Sequence, residues 1–309
     1  MSDKLTIGLY GLGKMGKNIG LNMLGKNYNL VVYNRSKDKY AEFKYRATCS
    51  DSISDFIKAL RSKSSNIVVW VMLTADSPTN DAISELMQYM VPNDILVDGS
   101  NSRYTDSINN SKRLSEKGIK YLDAGCSGGP SGARNGMSIM VGGDKQTFEK
   151  LEELIRDLSV KDGYLYTGSA GSGHFTKMVH NAIEYGMMQS IAEGLELLEN
   201  GPYKDLNLEH ICNLWQHGSV IRSYLVETAM KALSKDPKLS LVAPYVEDSG
   251  EGRWSVETAI SYGVPLPVIT HSLFERFASR SDKKFANRAL AAMRHEFGGH
   301  DVKVAESEK

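Results

Sequence analysis

Residues 174–185 read His174-Phe175-Thr176-Lys177-Met178-Val179-His180-Asn181-Ala182-Ile183-Glu184-Tyr185. At about 100° per residue, Lys177, His180, Asn181 and Glu184 share one stripe of a helix. Met178, Val179, Ala182, Ile183, Met187 and Ile191 surround that stripe with apolar surface, so the helix is expected to be buried. A polar stripe on a buried helix must face a polar cavity, because buried charges need partners. An amine and a carboxyl two turns apart, roughly 10 Å by helix rise, suit two successive proton transfers on one ligand. Burial lowers a lysine toward neutrality and lets it take a hydroxyl proton. The competing reading is a solvated face with an ordinary Lys–Glu pair, but seven residues is too far for a helical ion pair.

A second set of residues suits phosphate chemistry. The run Leu5–Tyr10 leads into Gly11-Leu12-Gly13-Lys14-Met15-Gly16 and then a helical pattern. Gly11 permits the tight turn, Gly13 lets backbone approach a pyrophosphate, and Gly16 allows close helix–strand packing. The helix N-terminus offers its unpaired N–H groups to the phosphates. After the next strand comes Asn34-Arg35-Ser36, where an acidic residue would bind the ribose 2′-hydroxyl of NAD. Here there is none. Asn34 and Ser36 can hydrogen-bond a 2′-phosphate and Arg35 can pair with it, which favours NADP and leaves NAD possible.

Both sets need a scaffold. Short apolar runs at Leu5–Tyr10, Leu30–Tyr33, Asn66–Leu73, Ile95–Asp98 and Tyr121–Ala124 alternate with helical stretches such as Ser77–Met90 and Thr105–Lys117. Strands alternating with helices predict an α/β, Rossmann-type domain with a mainly parallel sheet. Two further strands are expected at Ser138–Val141 and Gly163–Tyr166, with a helix at Thr147–Leu158 between them. The Gly/Ser-rich stretch Gly168–Gly173 marks a change of character. From His174 the pattern is helical to Leu198 and stops at Asn200-Gly201-Pro202. Shorter helices are expected at Leu208–His217, Ser223–Lys235, Trp254–Tyr262, Pro267–Ser279 and Asp282–Arg294. The expected division is a dinucleotide-binding domain over 1–173 and an all-α substrate and dimerisation domain over 174–309.

Composition narrows the class. The 309 residues carry 37 basic and 37 acidic side chains, a balance that argues against a nucleic-acid footprint. The three cysteines, Cys49, Cys126 and Cys212, are scattered, which argues against disulfides or a metal cluster and fits a reducing compartment. No apolar run is long enough to span a membrane, and the segment after Met1 has no signal-peptide core, so a cytoplasmic protein is expected. Cys126 has no base patterned with it and reads as a small buried apolar residue.

Together these motifs resemble a known family. The glycine turn, Ser127-Gly128-Gly129, Gly132-Ala133-Arg134, Met140-Val141-Gly142-Gly143 and the Lys177–Asn181 segment resemble the β-hydroxyacid dehydrogenase superfamily. The Gly173–Gly186 segment, with Arg294 and Phe297-Gly298-Gly299-His300, resembles the 6-phosphogluconate dehydrogenase family in a short form. That resemblance implies oxidation of the substrate hydroxyl with Lys177 as base. Loss of CO2 follows with Lys177 as acid, and then protonation of the enediol by Glu184. It implies that Asn101 contacts substrate and cofactor, and that Leu73, Thr74 and Ala75 lie beside the nicotinamide ribose. Ser127, Gly128 and Gly129 would hold the carboxylate, with His180, Asn181, Tyr185 and Arg276 also on the substrate. Arg294 and His300 would reach a neighbouring subunit's site, which implies a homodimer or homotetramer.

The chain also departs from the family. No counterpart of the long form's second helical repeat is expected within these 309 residues. Ser249 stands where the long form has a phosphate-binding Lys, which leaves Arg253 as an alternative cation, and Pro130-Ser131 replaces an acidic pair. A 3-hydroxyisobutyrate dehydrogenase would share Lys177 and Asn181 but not the Glu184, Arg276, Arg294 and His300 set. A non-catalytic NADP-binding protein would be expected to have lost Lys177 or Glu184, and both are present.

Overall fold

The structure, a computed structural model, describes residues 4–282, 284–298, 301 and 303. The chain divides into two compact units, Met1–Ala182 and Ile183–Lys309.

The first unit is built on one eight-stranded sheet. Its strands are β1 (Thr6–Tyr10), β2 (Asn29–Tyr33), β3 (Thr48–Ser50), β4 (Val68–Val71), β5 (Ile95–Asp98), β6 (Lys120–Ser127), β7 (Met137–Gly143) and β8 (Ser159–Gly168), in the order β3-β2-β1-β4-β5-β6-β7-β8. All neighbours run parallel except β6 and β7. Side chains alternate between the two faces of each strand. Ile7, Leu9, Val68, Trp70 and Val97 therefore fill one core, while Val31, Val69, Val71 and Leu96 fill the other. The first core is covered by α1 (Lys14–Gly25), α5 (Gly129–Asn135) and α6 (Lys145–Leu158). The second is covered by α2 (Ile53–Arg61), α3 (Ser77–Leu86) and α4 (Tyr104–Ser115). The sequence patterns do not reveal β3, whose three residues Thr-Cys-Ser carry no apolar alternation, nor α2 behind it.

Helix α7 (Ser172–Asn200) starts in the first unit and continues into the second. The second unit also holds α8 (Leu208–Trp215), α9 (Tyr224–Leu233), α10 (Glu251–Tyr262), α11 (Pro267–Ser279) and α12 (Phe285–Gly298). Its core is small: Leu208, Cys212, Val226 and Leu233, packed with Ile191, Leu195 and Leu198 of α7. The expectation that α7 is buried all round is corrected. Met178, Ala182 and Tyr185 are buried, but Phe175, Val179, Ile183 and Met187, four residues apart, form an exposed ridge. One face of the helix is packed within the chain and the opposite face is not. Among the described residues no helix is long and apolar enough to cross a membrane.

Candidate active site

The glycine turn joins β1 to α1 with the geometry a pyrophosphate requires. Gly11 has φ +104°, and a Cβ there would lie 2.3 Å from the Met72 carbonyl oxygen. A Cβ at Gly16 would lie 2.0 Å from the Gly11 oxygen, so the helix can sit this close to the turn only without a side chain. A Cβ at Gly13 would meet nothing within 4 Å, so that side of the backbone is open. The N-terminus of α1 has no acidic residue in its first turn and no side-chain cap, which suits an anion. A cavity of about 380 Å³ opens here. It is lined by Gly11, Gly13, Lys14, Met15, Gly16, Asn34, Leu73, Thr74 and Asn101, all expected, and by Met72, Gly99 and Ser100.

Four expected cofactor residues do not line this cavity. Leu12 is buried in the core, and only its backbone N–H takes part in the turn, donating to Asn34 Oδ1 at 2.9 Å. Asn34 is thereby committed on both ends, since its Nδ2 donates to the Ser36 carbonyl at 2.9 Å. Arg35 and Ser36 are exposed after β2, and Ala75 lies half-buried in the turn before α3. The group as a whole fits a dinucleotide: an open glycine, an uncapped helix terminus and no acid at residues 34–36 directly after β2.

The lysine is set by close packing. Three glycines let α7 approach β6 and β7. A Cβ at Gly125 would lie 2.4 Å from Lys177 Cβ, one at Gly142 would lie 2.7 Å from Gly173 N, and one at Gly173 would lie 2.5 Å from the Met140 oxygen. Buried Asp123 on β6 caps the helix, accepting from Gly171 N at 2.7 Å and His174 N at 2.9 Å, where a carboxylate complements the helix dipole. His174, also buried, is held by its Nδ1 at 2.7 Å from Ser107 Oγ.

On this base Lys177 is 5% exposed, and its Nζ donates to Asn181 Oδ1 at 2.7 Å. The same oxygen lies 2.9 Å from His180 Nδ1. An amide oxygen only accepts, so a neutral His180 carries its proton on Nδ1 and leaves Nε2 to accept from Ser127 Oγ at 3.2 Å. Asn101 has φ +54°; its Oδ1 accepts from Cys126 N at 2.8 Å and its Nδ2 donates to the Cys126 carbonyl at 3.1 Å. Thus Ser127, His180, Asn181 and Lys177 form one hydrogen-bonded group, and Asn101 grips the backbone of Cys126, the residue next to Ser127. Gly128 (φ +122°) and Gly129 (φ +59°) follow it, at the start of α5. Burial pushes the Cys126 thiol up to about 12, against the pull of Lys177, so it stays protonated. Asp123, Ser107 and His174 were not expected. An acid inside the apolar strand Tyr121–Ala124 was the signal that could have revealed Asp123.

The remaining expected residues lie in the second unit. Glu184 is half-buried on α7, and Tyr185 is buried. The Arg276 guanidinium stacks 3.5 Å from the centre of the Tyr185 ring, and its Nη1 donates to the Glu247 carbonyl at 2.8 Å. The Tyr185 hydroxyl accepts from Ser249 N at 3.1 Å. Arg253, the alternative cation, is turned to Asp248 through two hydrogen bonds of 2.8 and 3.0 Å. Arg294 is exposed on α12, and His300 lies outside the described residues.

Comparison with known proteins covers both units. The family described as the NAD binding domain of 6-phosphogluconate dehydrogenase matches residues 6–168, and the 6-phosphogluconate dehydrogenase C-terminal domain matches 173–308. A Bacillus subtilis protein, putative 6-phosphogluconate dehydrogenase YqeC, is 43% identical over 96% of this chain and 98% of its own length. An NAD(+)-dependent, decarboxylating 6-phosphogluconate dehydrogenase of Haloferax volcanii is 35% identical over 96% of this chain and 98% of its own length. The solved 6-phosphogluconate dehydrogenase of Plasmodium falciparum, described with NADP+ and with 6-phosphogluconate, superposes with a TM-score of 0.81. It is 28% identical, over 98% of this chain and 67% of that one.

Proposed function

The chain belongs to the 6-phosphogluconate dehydrogenase family of oxidoreductases, and on that premise we propose that it oxidises and decarboxylates 6-phosphogluconate to ribulose 5-phosphate and CO2 with NADP. The observation that carries this reading is Lys177, an amine almost wholly removed from water whose Nζ is aimed by Asn181. A buried amine held by the Asn181 amide, with His180 Nδ1 at 3.5 Å, can exchange a proton with a ligand hydroxyl. The nicotinamide, when bound, supplies the hydride acceptor. Lys177 takes the proton of the substrate hydroxyl as its carbon is oxidised. It then returns a proton to the carbonyl oxygen as the carboxyl carbon leaves as CO2. Glu184, two turns on along α7, protonates the enediol carbon. Ser127, Gly128 and Gly129 hold the carboxylate, Asn101, His180 and Asn181 hold hydroxyls, and Tyr185 and Arg276 take the distal phosphate.

Arg35 and Ser36, exposed beyond β2 with no acid in their place, support NADP over NAD. The exposed ridge on α7 and the exposed Arg294 support a homo-oligomer, dimer or tetramer, in which Arg294 and His300 complete a neighbour's site. The enzyme then serves the pentose phosphate route in the cytoplasm.

The test is initial-rate kinetics on 6-phosphogluconate with each cofactor, with CO2 release measured in parallel. Lys177→Ala is expected to lose turnover and keep near-normal NADP binding. Turnover that survives this change refutes the assigned mechanism.

A further inference from the structure

The loop 247–250 lies immediately before α10 and is fastened at three consecutive residues. The Glu247 carbonyl accepts from Arg276 Nη1, Asp248 binds two arginines, and Ser249 N–H donates to the Tyr185 hydroxyl. The Asp248 side chain is 4% exposed. Arg253 Nε and Nη2 reach its two oxygens at 2.8 and 3.0 Å, and Arg280 Nη2 adds a third bond at 2.7 Å. Such charge-assisted, forked contacts are stronger than neutral ones and fix direction as well as distance. Arg253 and Arg280 flank the Phe277 ring at 4.4 and 5.4 Å, so both cations are also held by α11.

Donor accounting at the next residue gives the clamp a purpose. Ser249 Oγ donates its single proton to Glu251 Oε2 at 2.5 Å, so it has none to give the Tyr185 oxygen 3.4 Å away. The Tyr185 oxygen receives the Ser249 backbone N–H, so its own O–H is the donor in the long 3.4 Å contact to Ser249 Oγ and is free to turn to a stronger acceptor. The loop therefore fixes Tyr185 as a donor, under the stacked Arg276. A hydroxyl held as donor beside a guanidinium fits an acceptor-only, anionic group.

We propose that Asp248 is a positioning residue: by holding Arg253 and Arg280 it fixes the loop whose Ser249 N–H makes Tyr185 a hydrogen-bond donor to the anionic end of the substrate. This deepens the functional reading above and rests on its assignment of Tyr185 and Arg276 to the substrate phosphate. Two of the three nearby arginines are spent on the clamp, and the third stays beside Tyr185.

The test is a double-mutant cycle on KM with Asp248→Asn, Tyr185→Phe and both together. Asp248→Asn is expected to raise KM for the acid about ten-fold, the scale of one displaced hydrogen bond, with a smaller change in kcat. Combined with Tyr185→Phe it adds nothing further, because both changes remove one contact. Arg280→Gln, which spares the Arg253 fork, is expected to give a smaller rise that is likewise absent in the Tyr185→Phe background. Additive effects on KM overturn the proposal, as does a parallel loss of kcat, affinity and melting temperature. A fall in KM for Asp248→Asn overturns it too, by showing Asp248 to be a competitor for the arginines. The NMR signal of [13Cζ]tyrosine at Tyr185, assigned by its loss in Tyr185→Phe, reads the loop without any substrate. A signal unmoved in Asp248→Asn refutes the positioning role. Wild-type enzyme is assayed first: absence of turnover on 6-phosphogluconate sinks the functional reading alone, and the tyrosine signal still judges the loop.

Discussion

Gly125→Ala is a one-methyl test of how Lys177 is placed. The added carbon would sit 2.4 Å from Lys177 Cβ and 2.9 Å from the Gly173 carbonyl oxygen. Non-bonded carbons rest about 3.5–4.0 Å apart, so the two chains must separate by about 1 Å. Strand β6 is bonded on both sides, to β5 and β7, and cannot give way. Helix α7 therefore retreats, carrying Lys177 and Asn181 with it. Overpacking of this kind costs about 1–3 kcal/mol of stability. A displacement near 1 Å at a reacting group costs about 100-fold in rate. The assay is kcat and KM for 6-phosphogluconate, KM for NADP and a thermal melt. Expected are a folded protein, a nearly unchanged KM for NADP and kcat down by about two orders of magnitude. Gly25→Ala, where an added Cβ meets nothing within 4 Å, serves as the silent control. A folded Gly125→Ala enzyme with wild-type kcat refutes the claim that this contact sets the position of the amine.

Three other outcomes follow from other parts of the molecule. Fully buried Asp94 accepts from Arg61 and from the backbone of Ile67 and Val91; Asp94→Ala is expected to cost about 3–5 kcal/mol in urea unfolding, and a cost under 1 kcal/mol refutes its role. The Arg253 and Arg280 contacts hold the Asp248 carboxyl at about 2, below its ordinary 3.8. A depressed carboxyl stabilises the fold above its unfolded value and loses that contribution as pH falls through the folded one. Stability is thus expected to drop between about pH 4 and pH 2, less steeply in Asp248→Asn, and equal slopes refute the assignment. Arg35→Ala is expected to raise KM for NADP about ten-fold or more while moving KM for NAD little; equal shifts for both cofactors refute a role at the 2′-phosphate.

Much of this architecture was legible because its signals are periodic. The Rossmann strands announce themselves as apolar runs, since both faces of a parallel sheet are buried. The strong stop at Asn200-Gly201-Pro202 coincides with the observed end of α7. The stripe on α7 follows from helix geometry alone. What stayed hidden depends on partners distant in sequence. Asp123 caps α7 from 51 residues away, and Ser107 holds His174 across 67. Neither pairing leaves a local pattern. The exposed ridge on α7 escaped for another reason: hydropathy shows which residues avoid water and not which ones find cover within their own chain. Leu12 illustrates the same limit on a small scale. Its place in the glycine turn suggested a ligand contact, whereas the fold uses its side chain as core and its N–H as a tether.

The tether at Asn34 bears on attempts to redesign coenzyme preference. Its amide joins the glycine turn to the end of β2, through Leu12 on one side and Ser36 on the other. Exchanging it for an aspartate that could grip a ribose diol would keep the acceptor for Leu12 and lose the donor to Ser36, so the turn itself would shift. Arg35 and Ser36 use their side chains for neither bond. A designer seeking to switch the enzyme between phosphorylated and unphosphorylated dinucleotides has two adjustable positions, with a fixed hinge beside them.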